Sequence, residues 1–118
     1  MGVTLVEITV RKAADSPQVR TVECMVDTGA TTTVLPGDLL RELGIAPVDQ
    51  QQYRLADGTR IARQRGWAYV ELMGRGAYTR AVFGEPGDGT LLGVLTLEEL
   101  ELFVDPLHRE LHQVEQHL

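Results

Sequence analysis

Cysteine is nearly absent from this 118-residue chain. Cys24 stands alone, which excludes an intrachain disulfide and any paired-cysteine metal or redox motif. Clusters of Lys and Arg interleaved with aromatics are also missing, and the net charge of −6 is spread along the chain rather than gathered in a tail. A nucleic-acid groove needs the opposite pattern, so no nucleic-acid partner is expected. No apolar run approaches the roughly 20 residues of a membrane span. The opening MGVTLVEITVRK has neither a basic segment before its apolar run nor a small-residue cleavage site after it. Gly2 is not read as a myristoylation site, because position 6 is Val where that motif asks for Ser or Thr. A cytoplasmic protein without a membrane partner is the expectation.

Two further ligand classes lack their residues. The glycines of GEPGDGTLLG are not followed by the Lys-[Ser/Thr] that grips phosphate, so the stretch reads as a connecting turn. The three histidines lie near the C-terminus with no Cys or His partner at zinc spacing. His108 and His112, four apart, could share a helix face, but no third ligand accompanies them; they read as a surface tail, with no metal expected.

What is present is an ordinary globular composition, 43% apolar and 24% charged, in a chain long enough for one domain over residues 1–118 and one core. VTLVEITV and VRTVECMV are β-branched, roughly alternating runs joined by a segment with Asp15-Ser16-Pro17 turn chemistry; they predict an N-terminal hairpin ending at Asp27. Cys24 lies on the opposite strand face from Asp27 by period-2 counting and is expected in the core.

LPGDLLRELGI then changes period. Leu39, Leu40 and Leu43 sit at helical spacing between Pro36 and Gly44, the asymmetry of a short helix. YRLADGTRIARQ carries Asp57-Gly58 between extended runs, a tight-hairpin signal in which both central residues want positive φ. WAYVEL and AYTRAVF predict a second hairpin turning through Gly74 and Gly76, with Trp67, Tyr69 and Tyr78 as core or sheet-face residues. Leu91-Leu92 continue a buried strand that Gly93 stops, and Thr96 with Glu99 predicts a capping box for another short helix. Residues 106–118 suit either a strand pair turning at Asp105-Pro106 or a frayed helix.

The chemistry concentrates at VDTGATTTVLP, residues 26–36. An acid closes an apolar strand with no base near it in sequence. A turn in which Asp bonds its own backbone would account for Asp27 and Gly29, but not for the apolar strand leading in. Asp-Thr-Gly-Ala, a following helix and the late Leu91-Leu92-Gly93 element together resemble the retropepsin-like aspartic protease family, in a single-domain, bacterial-type form, over roughly residues 3–105. The flap tip here is less glycine-rich than in viral members, and the chain continues past Asp105-Pro106.

That resemblance implies an all-β, closed acid-protease barrel with one or two short helices. It implies Asp27 as the catalytic acid, Thr28 as a buried hydroxyl, Gly29 as a close-approach glycine, and Leu91-Leu92-Gly93 as the supporting turn. Ala30 and a flap at Ala56, Asp57 and Gly58 would contact a peptide or protein substrate. Two carboxyls sharing a proton are needed to activate water and protonate the scissile carbonyl without a cofactor. Asp57-Gly58 and Asp88-Gly89 lack the intervening hydroxyl residue, so the second acid is expected from an identical chain in a homodimer. Ala30 offers the acid no hydroxyl donor, which points to an only mildly acidic pH optimum. The implied function is an aspartic endopeptidase, the alternative being an inert dimerisation or peptide-binding module of the same fold.

Overall fold

The computed structural model describes residues 3–118; Gly2 lies outside them. The first hairpin pairs β1 (Leu5–Arg11) with β2 (Arg20–Val26), in antiparallel register from Leu5 opposite Met25 to Val10 opposite Arg20. Alternation decides its faces: Ile8, Val10 and Cys24 are buried, while Glu7, Thr21 and Glu23 are outside the core. The chain then makes the loop 27–32, a short strand β3 (Thr33–Pro36) and helix α1 (Gly37–Glu42). β3 is absent from the sequence reading, which ran the Thr-rich loop straight into the helix. Four residues with two buried in the middle of a sheet leave too little alternation to detect.

Helix α1 stops as its sequence predicts. Gly44 takes φ +79° and its amide bonds Arg41 O, while the Ile45 amide bonds Leu40 O, so the last carbonyls are satisfied by a left-handed glycine.

β4 (Asp49–Arg54) and β5 (Arg60–Leu72) form the Asp57-Gly58 hairpin. Only Gly58 has positive φ, +88°. Its amide bonds Leu55 O, and the Leu55 amide bonds Thr59 O; this is a type I turn closed by a left-handed glycine rather than the two-residue turn expected. The next turn corrects the sequence reading too. Met73 (φ 54°) and Gly74 (φ 74°) make it, and Gly76 lies inside β6 (Arg75–Gly84). β5 is one continuous strand of 13 residues where two were expected, because the polar run Arg63–Gly66 looks like an interruption. Its first half pairs with β4 and its second half with β6 and β1.

β7 (Leu91–Leu92) leads into α2 (Val94–Glu99), and the chain ends with the antiparallel pair β8 (Leu102–Asp105) and β9 (Glu110–Gln113). Asp105-Pro106 therefore turns the chain between strands. The main sheet runs β1-β2-β7-β3-β6-β5-β4 and curls back where Thr9, Val10 and Arg11 pair with Glu71, Val70 and Tyr69. Glu71 reinforces that seam by accepting from Arg11 Nε at 2.8 Å and Thr9 Oγ1 at 3.1 Å. Inside lie Ile8, Leu35, Leu40, Val70, Phe83 and Leu92, all 2% exposed or less.

The predicted capping box does not form. No side chain caps α2, whose N-cap is Gly93; the Val94 and Leu95 amides bond Ala30 O and Thr31 O of the loop 27–32. Those carbonyls satisfy the first amides of a helix that starts two residues before Thr96. Thr96 sits instead inside the helix, fully buried, 2.5 Å from Thr33 Oγ1 and 2.7 Å from Thr79 Oγ1. Thr33 Oγ1 also accepts the Gly93 amide at 3.0 Å, so a consistent proton order runs Gly93 to Thr33 to Thr96 to Thr79.

This relay predicts a stability effect. Thr96→Val keeps shape but leaves buried hydroxyls without partners, and should lower stability by about 1–3 kcal/mol. Urea denaturation should show a lower midpoint with unchanged slope.

Candidate active site

Asp27 is held by the sheet as well as by its own loop. β7 lies between β2 and β3, parallel to the first and antiparallel to the second. The Met25 amide bonds Thr90 O, the Asp27 amide bonds Leu92 O at 3.0 Å, and Ala30 and Thr31 anchor α2. Gly93 lies directly against the loop: a Cβ there would fall 2.6 Å from the Thr32 carbonyl carbon and 2.9 Å from Thr31 O. Only glycine lets β7 and α2 approach the acid loop this closely.

Within the loop, Asp27 Oδ1 accepts the Gly29 amide at 2.9 Å, and the Ala30 amide bonds Asp27 O. The local Asp turn thus exists, yet the partly exposed carboxyl also opens onto a cleft of about 620 Å³. Gly29, Ala30 and Val34 line it from below, Leu55, Ala56 and Ile61 from the β4–β5 hairpin. Of the predicted site residues, Asp27, Gly29, Ala30 and Ala56 therefore meet at one cleft. Asp57 and Gly58 occupy the hairpin turn but do not line it, the Asp57 carboxylate being taken up by the Thr59 amide and hydroxyl at 2.9 and 2.6 Å. Thr28 is exposed and borders a different groove, with Val94, Leu102 and Phe103; the buried hydroxyl implied by the resemblance does not form within one chain.

The sequence reading missed Tyr53, Arg63 and Asp88, which line the same cleft. Arg63 shares strand parity with the cleft-lining Ile61, a signal that period-2 counting could have used. Nothing in sequence joins it to Asp88, 25 residues away. Arg63 Nε lies 2.7 Å from Asp88 Oδ2 and Nη2 lies 3.1 Å from Oδ1. This bidentate pair holds the Asp88 carboxyl below its ordinary range and raises the Arg63 guanidinium, the mutual hydrogen bonds being the main cause of each shift.

The aromatic trio lies elsewhere. Tyr69 and Tyr78 pack edge to face at 4.9 Å. Trp67 and Tyr78, about half exposed, line a separate groove, where Arg80 lies 4.9 Å from the Trp67 ring. Cys24 is 1% exposed, and burial pushes its thiol up to about 12, which removes it as a nucleophile. At the C-terminal hairpin the fold adds what sequence spacing did not: Asp105, Glu110 and His112 each place one atom within 4.8 Å of the others. Asp105 is already engaged, accepting His108 Nδ1 at 2.6 Å and the Leu107 and His108 amides. His108 holds the Asp105 carboxyl down to about 2 and is itself raised by it. The cluster secures the turn.

An acid on a glycine-braced loop, roofed by a β-hairpin in a curled all-β sheet, defines a retropepsin-like aspartic protease domain. Residues 18–99 match the family described as "gag-polyprotein putative aspartyl protease", and the chain belongs to that family. Among solved structures, the solution structure of the simian foamy virus (mac) protease has a TM-score of 0.56 at 17% identity, covering 80% of this chain and 92% of that one. The EIAV protease complexed with the inhibitor HBY-793 has a TM-score of 0.58 at 19% identity, covering 84% and 88%. A crystal structure of a retropepsin-like aspartic protease from Rickettsia conorii gives 0.49 at 20% identity, with 89% of each chain covered. No curated protein sequence matches. Among the described residues no helix is long and apolar enough to cross a membrane.

The Arg63–Asp88 pair predicts a pH effect. A carboxyl whose folded pKa is depressed stabilises the fold fully above its unfolded value, here near the ordinary 3.8, and loses that contribution as pH falls through the folded value. In urea denaturation, the stability gap between wild type and Asp88→Asn should be constant from about pH 5 to 7 and shrink as pH falls below about 4.

Proposed function

We propose that this protein is an aspartic endopeptidase in which two Asp27 carboxyls, one from each subunit of a homodimer, activate a water between them. The observation that carries the reading is the placement of Asp27 at the floor of the cleft beneath the β4–β5 hairpin. Its carboxyl meets no Lys or Arg among the ion pairs of the described residues.

Peptide hydrolysis here requires one carboxylate to take a proton from water while a protonated partner donates to the carbonyl oxygen. Two like charges about 3 Å apart cannot both ionise, so such a pair holds one proton between its members. The other carboxyl lining this cleft is Asp88, kept ionised by a bidentate arginine, which unfits it for proton sharing. An isologous dimer supplies the missing acid by setting Asp27 against its copy on the two-fold axis. Thr28, exposed in one chain and next to Asp27, would then be buried at the axis, where its hydroxyl ties the two loops together.

The pairing of β1 with β5 supports reading the curled sheet as a closed barrel. Val34, Leu55, Ile61, Val82 and Leu91 give the cleft apolar walls, favouring extended peptides cut between apolar residues. The substrate backbone would add as a strand beneath the hairpin, whose closure excludes water. One buried thiol and no disulfide fit a cytoplasmic setting.

Wild type and Asp27→Asn should be compared on a diverse peptide library from pH 4 to 7. Specific cleavage by wild type should fall to background in the variant; no cleavage by either under dimeric conditions would leave a peptide-binding module. Specific activity should rise steeply with protein concentration in the range where sedimentation shows the dimer forming. A fully active stable monomer would overturn the shared acid pair.

A further inference from the structure

The cleft wall contains one built charge pair. Arg63, on the return strand of the β4–β5 hairpin, crosses to Asp88 in the turn that precedes β7, and their side chains are 16% and 24% exposed. Both Asp88 oxygens are engaged by Arg63, and Oδ2 also accepts the Glu85 amide at 2.8 Å. Arg63 Nη1 donates to Ala62 O at 2.9 Å and lies 3.4 Å from Glu85 Oε2. Arg54, the remaining cation of the lining, is exposed beside the hairpin turn.

A wall of this kind is polar yet balanced. A substrate side chain of either charge entering beside it would have to draw one member out of a bidentate pair and leave the other without its main partner in a partly desolvated cleft. An uncharged side chain leaves the pair intact. We infer that Arg63 and Asp88 are specificity-determining residues that act as a charge filter, admitting peptides with an uncharged residue at the adjoining subsite. The inference rests on the peptide-cleft reading above and names the side-chain class that one subsite accepts. Discrimination is produced by a penalty on wrong substrates rather than by a contact to the right one.

Binding tests the filter without requiring turnover. In an Asp27→Asn background, the parent and the additional variants Asp88→Asn, Arg63→Gln and Arg63→Asp/Asp88→Arg are titrated with fluorescent peptides. The peptides carry an acidic, neutral or basic residue at each position in turn, and urea denaturation checks that each protein is folded. The parent should prefer neutral residues. Asp88→Asn removes the bidentate partner and leaves Arg63 only the more exposed Glu85, and should shift one position towards acidic residues by about tenfold, whereas Arg63→Gln should shift the same position towards basic residues by about tenfold. The charge-swapped protein should return to neutral preference. Unchanged preferences, equal losses for all peptides, or no binding by any of the proteins would overturn the filter. The same substitutions with Asp27 intact separate the two claims: sign-switched binding without cleavage sinks the peptidase reading and leaves the filter, whereas cleavage with unaltered charge preference sinks the filter.

Discussion

The approach of Gly93 to the acid loop is the constraint on which the rest of the site depends. Because no side chain stands there, β7 can lie between β2 and β3, and the first amides of α2 can reach Ala30 O and Thr31 O. The loop is thereby held by backbone bonds on one side and by the Thr33-Thr96-Thr79 relay beneath it. Its acid is fixed in direction while its side chain stays open to the cleft. Backbone bonds to a neighbouring element position a catalytic group more firmly than bonds within its own loop, because they cannot be lost without breaking the sheet.

The roof of the cleft is built on different terms. The β4–β5 hairpin carries mostly exposed residues and few apolar anchors. Arg63 ties its return strand to the turn before β7, so the hairpin is joined to the part that holds Asp27. One ion pair therefore belongs to the cleft wall and to the connection between hairpin and acid loop.

Much of the fold was legible from residues alone. The β1–β2 hairpin follows from β-branched alternation, α1 from its leucine spacing between Pro36 and Gly44, and the hairpin turn from Asp57-Gly58. Asp27, Gly29, Ala30 and Ala56, singled out from the sequence, line one cleft. The errors share a cause. Thr96 reads as a cap because Thr followed by Glu99 has that local chemistry, but the helix begins at Val94, where loop carbonyls distant in sequence accept its first amides, and Thr96 falls inside it. β5 reads as two strands because its polar middle crosses from the projecting hairpin into the sheet.

What the sequence by itself determined is the chemistry available: a lone acid after an apolar strand, a buried Leu-Leu strand ended by Gly93, and no metal-binding cysteines or phosphate-gripping lysine. These follow from residue type and local periodicity, which a linear reading captures. Tertiary structure alone decided which groups share a space. It set Arg63 against Asp88, buried three threonine hydroxyls together, and left Thr28 exposed beside the acid. Such pairings depend on strand order and register, in which a neighbour may lie 25 or 63 residues away, and no local pattern encodes a partner at that distance.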